Sequence, residues 1–269
     1  MAELDFEIHG KRGEVSAAAF REAIYYALSL LREFDAAMSG KRLGSLRWYI
    51  ERLKSNGSLF ITFHSKQKIY KTPKALPPDI SPSVTSSLLS GFEDIEEKCV
   101  MPSYLSEFGL AKVGDLAHLI KKNGARGFRF GSQSKSVEVT TKTSENVGKL
   151  LPIQRTAIGS VEGNLEGVNI HRKARVIVYH AVTKKAVTCL FEPDRFMEQV
   201  RNCLGRRVLV FGTLHKNING DTLRVSMERL EIVDERNRFA LPGPTEGLED
   251  PEFSKTGSTE AYLRSIRGR

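Results

Sequence analysis

The chain has 269 residues, of which 40% are apolar and 27% charged. That balance supports a packed core and excludes a chain that is disordered throughout. The length suits one large domain or two small ones, and 41 Lys and Arg against 32 Asp and Glu leave a net charge of +9.

The first element is a strand. Leu4, Phe6 and Ile8 alternate with Asp5 and Glu7, the pattern of a half-buried strand. Gly10 and Gly13 mark a turn, and a helical period follows from Glu14 to Met38. Phe20, Ile24, Ala27, Leu28, Leu31 and Phe34 are its expected apolar face, Arg21, Glu22, Ser29 and Arg32 its polar face, and Gly40 its stop. Segments 46–53 and 58–64 flank Asn56-Gly57, which signals a hairpin, although 46–53 also fits a helix. Trp48, the single tryptophan, reads as a core anchor in preference to a base-stacking platform.

Residues 65–83 place Lys66, Lys68, Lys71 and Lys74 among four prolines, which predicts a basic connector without regular structure. Val84, Leu88, Phe92 and Ile95 share one helical face, with Ser83 as candidate N-cap. A second helical region opens at Pro102 and is expected to break near Gly109 and Gly114. It closes on the cations and glycine of Lys121 to Gly124. Phe128 and Phe130, then Val137 and Val139, predict two short strands. Residues 1–150 thus read as an α+β domain with a small antiparallel sheet.

Residues 156–233 carry the clearest pattern. Strands are expected over 157–168, 174–182 and 186–191, a short helix from Pro193 to Gly205, and two more strands over 206–214 and 221–233. Gly159-Ser160-Val161-Glu162-Gly163 and Gly205-Arg206-Arg207-Val208-Leu209-Val210-Phe211-Gly212 resemble the first and fourth strands of OB-fold domains. The order strand, strand, strand, helix, strand, strand is that of this five-stranded Greek-key barrel. The layout is also similar to that of bacterial proteins with no assigned role, which implies no activity. Residues 234–269, with Pro242, Pro244, Pro251 and mixed charge, read as a flexible polar tail whose basic end is either a docking helix or a frayed terminus.

The OB-fold resemblance implies a ligand face across strands two and three and their neighbouring loops, used elsewhere for single-stranded nucleic acid or oligosaccharide. It implies Arg172, Lys173, Arg175, Lys184, Lys185 and Lys216 as phosphate contacts and Tyr179 as a stacking ring. Residues 151–233 hold 13 basic against 8 acidic residues, which agrees with an anionic partner. The rival expectation is a protein-interaction module, an adaptor or the neutralising partner of another protein, with a purely structural barrel.

Other classes lack a signature. No phosphate-binding glycine loop, H-E-x-x-H, paired C-x-x-C or G-x-S-x-G occurs, so no cofactor, metal or catalytic residue is assigned, and an enzyme whose site is assembled from distant residues is the less expected class without being eliminated. Cys99, Cys189 and Cys203 are scattered and odd in number, which fits reduced thiols in the cytoplasm. The acidic start lacks the apolar stretch of a secretory leader, and no run of about 18 apolar residues is present for a membrane span.

Overall fold

The computed structural model describes residues 2–11, 14–41, 43–68, 79–120, 124–132, 135–170 and 173–233. The basic connector expected at 65–83 lies mostly outside them, as do Lys121 to Asn123 and the tail.

The N-terminal lobe opens with β1 (Glu3–His9), whose Leu4, Phe6 and Ile8 are fully buried as their alternation requires. Helix α1 (Ala17–Ser39) is capped by the Ser16 hydroxyl, which accepts from the Ala19 N–H, and ends at Gly40 in the left-handed conformation. Its buried stripe runs Ala19, Ala23, Ala27, Leu30, Leu31 and Phe34. Phe20, Ile24 and Leu28, expected at its centre, sit half-buried at its edge.

The hairpin β2 (Leu46–Asn56) and β3 (Ser58–Gln67) settles the strand-or-helix question for 46–53 in favour of the strand. A single glycine, Gly57 at φ +91°, makes the turn. Trp48 is half-buried against the core, with an indole N–H that has no partner.

Helix α2 (Ser81–Glu93) continues as one π turn, Asp94–Lys98, and buries Val84, Leu88, Phe92 and Ile95. It starts two residues before the expected cap at Ser83, because the Asp79 carboxylate accepts from the Ser81 N–H and hydroxyl. Helix α3 (Glu107–His118) runs unbroken through Gly109 and Gly114. A Cβ at Gly109 would lie 2.4 Å from a Glu33 carboxylate oxygen, and one at Gly114 2.9 Å from Val147, so these glycines permit packing and do not stop the helix. Strands β4 (Gly127–Gly131) and β5 (Ser136–Val139) precede α4 (Thr141–Leu150), an element the sequence pattern did not announce.

The antiparallel sheet has the order β2-β3-β1-β4-β5. One face packs Phe6, Phe63, Phe128 and Phe130 against the helices. Phe130 stacks between Phe6 and Phe92, each 4.6 Å away centroid to centroid.

The second core is a closed barrel of β6 (Arg155–Asn169), β7 (Arg175–His180), β8 (Ala186–Leu190), β9 (Arg207–Lys216) and β10 (Thr222–Ile232), in the ring order β10-β8-β7-β6-β9. All contacts are antiparallel except β8 with β10. Val161, Leu165, Val176, Val178, Val187, Val208, Val210 and Val225 fill the interior. Helix α5 (Pro193–Cys203) closes one end with Phe196 and Val200. At Gly163, opposite His180, a Cβ would fall 2.1 Å from the Tyr179 carbonyl oxygen, so the strands approach there only because the residue is glycine. Residues 1–232 form one compact unit that holds both cores.

Candidate functional site

Strand alternation sends Val176 and Val178 into the barrel and Arg175, Ile177 and Tyr179 outward. Part of the outward face of β7, β8 and β10 is covered by the N-terminal lobe, while the end of β10 from Glu228 on remains largely exposed. Tyr179 packs with Ala186 on β8 and Ala37 on α1. The Arg175 guanidinium lies 4.5 Å over the Phe108 ring at the start of α3. Arg224 on β10 makes a forked pair with Glu107, both carboxylate oxygens 3.1 Å from Nη2. Hydrogen bonds to backbone carbonyls, two of them from side chains, seal the seam. The Tyr104 N–H donates to the Lys184 carbonyl at 2.9 Å, the Ser103 hydroxyl to the Thr183 carbonyl at 3.0 Å, and the Asn219 amide to the Cys99 carbonyl at 2.8 Å.

Between α1, the start of α3 and the β6–β7 edge the seam opens into a cleft of about 290 Å³, at the lower end of small-ligand sites. Arg32, Lys41, Lys112 and Arg175 line it, over a floor holding Glu33, Glu166 and Tyr179. Glu33 accepts from the Ser106 N–H at 2.8 Å and from its hydroxyl at 2.5 Å, which places a carboxylate at the N-terminus of α3. Burial pushes the Glu33 carboxyl up, against the Ser106 hydrogen bonds and the charge of Lys112. Glu166 keeps one buried carboxylate oxygen without a partner. Burial raises its pKa from 4.5 to about 7, only partly offset by the charge of Lys184. Burial, then the nearby Glu33 and Glu166, also push the Tyr179 phenol up. The cleft therefore combines two carboxyls whose pKa burial raises with four cationic side chains.

The residues expected to touch nucleic acid divide. Arg172 lies outside the described residues. Lys173 and Lys184 are exposed, but at opposite ends of β7, not around one rim. Arg175 reaches the cleft. Lys185 is held by Asp221 at 2.6 Å. Lys216 ends β9, opposite Arg155 and Thr222, and does not line the cleft. Tyr179 is 8% exposed, so its expected stacking role is corrected: the ring belongs to the seam between barrel and helix. Phe108, 41% exposed at the cleft, is the aromatic ring a ligand can reach.

The chain matches no family model, no curated protein and no solved structure. No sequence pattern marks Arg32, Lys112 or Phe108 as site residues; the fold brings them to the cleft. Ser29 and Arg32, on the polar face of α1, line the cleft. Among the described residues no cluster of His, Cys, Asp or Glu is arranged to hold a metal, and no helix is long and apolar enough to cross a membrane.

Proposed function

We propose that the protein is a non-catalytic cytoplasmic accessory factor that binds single-stranded nucleic acid in the cleft between the N-terminal lobe and an OB-like barrel. The ring order, with its parallel contact between third and fifth strands, supports the OB-like reading. The observation that carries the functional reading is the convergence of cations from both halves of the chain. Arg32, Lys41 and Lys112 of the lobe face Arg175 of the barrel, beside an accessible Phe108. Phosphates would meet the cations and a base would stack on Phe108. Such contacts give little base specificity and strong salt dependence.

A fluorescent 12-residue oligonucleotide at low ionic strength tests this by anisotropy. Arg32→Ala with Lys112→Ala removes two phosphate contacts, so the slope of log K against log salt should fall by about 1.4. Undetectable binding of the unaltered protein at low salt overturns the proposal. The rival reading, a protein-interaction module, draws on the seam itself: the face that OB-folds offer to ligands is largely covered by the chain's own α1 and α3. Oligonucleotide binding that ignores both cleft substitutions would favour it.

A further inference from the structure

The β2–β3 hairpin has an outward face, on the side away from the helices. Its composition depends on one irregularity. The register runs Arg47 opposite Lys66 and Tyr49 opposite His64, then shifts at a bulge between Ile50 and Arg52, and resumes with Arg52 opposite Thr62 and Lys54 opposite Phe60. Because side chains alternate, an unbroken strand would turn Glu51 and Leu53 outward with Tyr49. The bulge instead turns Arg52 and Lys54 outward and sends Leu53 to the helix side. The face therefore carries Arg47, Tyr49, Arg52 and Lys54 on β2 and Phe60 and Lys66 on β3.

Three observations say what such a face would hold. Arg47 and Lys66 stand directly opposite each other, an arrangement that weakens a bare sheet and is relieved by an anion. Among the described residues, none of Arg47, Arg52, Lys54 and Lys66 forms an ion pair. Tyr49 is 46% exposed, with the Lys66 ammonium 5.4 Å from its ring centroid, and Phe60 borders a shallow depression beside Asp5, Glu7 and Arg129. The exposed Tyr49 ring and the half-buried Phe60 ring stand among cations on this face, the combination that base stacking uses. Four residues along β3 separate the Tyr49 and Phe60 positions, roughly 14 Å.

We propose that this face is a second track for single-stranded nucleic acid, with phosphates along β2 and bases leaning over Tyr49 and Phe60. Glu3, Asp5 and Glu7 on β1 register beside His64, Thr62 and Phe60. Their negative row repels phosphates, so it confines the backbone to the β2 side. The track stands on residues separate from the cleft and does not depend on the cleft being occupied.

The test is photocrosslinking of a 12-residue oligonucleotide carrying photoreactive uracil, with crosslinked residues located by mass spectrometry. It is run on the unaltered full chain and on the Arg32→Ala, Lys112→Ala cleft variant. Crosslinks at Tyr49 or Phe60 in both proteins are expected. Tyr49→Ala should weaken binding by about 5- to 100-fold in the cleft variant. Arg52→Glu with Lys54→Glu, both exposed on an edge strand, should abolish the β2–β3 crosslinks while the melting temperature stays unchanged. Crosslinks confined to Phe108 and its neighbours would overturn the track and leave the cleft reading standing. Crosslinks at Tyr49 or Phe60 with none near Phe108 would do the reverse. Competition by poly-glutamate as effective as by oligonucleotide would overturn it in favour of an acidic peptide, and charge-reversal variants that only change the oligomeric state would overturn it in favour of a second copy of the chain.

Discussion

The Glu166 carboxyl makes the cleft measurable without a ligand. Its folded pKa of about 7 lies above its ordinary 4.5, because one oxygen is buried without a partner. Between these values the folded state holds a proton that the unfolded state releases. Stability contributed by that proton is complete below pH 4.5 and is lost as pH rises toward 7. At about 1.4 kcal/mol per pH unit the ceiling is about 3.4 kcal/mol. The side chain is half-exposed, and solvent screening reduces the expected effect to about 1 kcal/mol. Glu166→Gln keeps the shape and cannot ionise. The variant should match the parent near pH 4 and exceed it at pH 7.5 by about 1 kcal/mol, or about 2–4 °C in Tm. Thermal melts every half unit from pH 4 to 8 read the difference. Glu33 remains in both proteins, so its own raised pKa cancels. A Glu166→Gln protein no more stable than the parent at pH 7.5, or a difference that does not change between pH 4.5 and 7, would refute the reasoning.

Two further outcomes follow from buried contacts. Asp35 is 1% exposed and accepts from the Ser45 N–H and hydroxyl at 2.9 Å and from the Leu46 N–H at 2.8 Å, which fixes the entry of β2. Asp35→Ala strands these donors and should cost about 3–5 kcal/mol in urea denaturation, with Asp35→Asn milder. Gly163→Ala drives a Cβ into the Tyr179 carbonyl and should lower stability by about 1–3 kcal/mol or more. A neutral result at either position would show that the local backbone yields more easily than its hydrogen bonds imply.

Periodicity alone located most strands. Leu4, Phe6 and Ile8 alternate because one face of β1 is buried, and the valines after Pro152 alternate because a barrel has an inside. Glycine carries two opposite meanings in a helical pattern, a break or a close contact. Gly109 and Gly114 looked like breaks, yet each sits where a neighbour leaves no room for a Cβ, and that neighbour is distant in the chain. Helix α4 carries little sequence signal because its polar sequence offers only Thr143, Asn146, Val147 and Leu150 to the core, while its capping box at Thr140 and Thr143 lacks the usual Glu or Gln at the third position.

The candidate sites divide in the same way. The abundance of Lys and Arg in the barrel segment, and the exclusion of nucleotide-loop and zinc signatures, are properties of the sequence itself. Which cations act together is not, because charge is additive over space and not over residue number. Only the tertiary structure brought Arg32, Lys112 and Arg175 to one cleft, tied Lys185 to Asp221 and laid α1 over Tyr179. The bulge at Ile50 and Arg52 makes the same point within one hairpin: one extra residue in β2, set by its pairing with β3, decides which side of the sheet is positive.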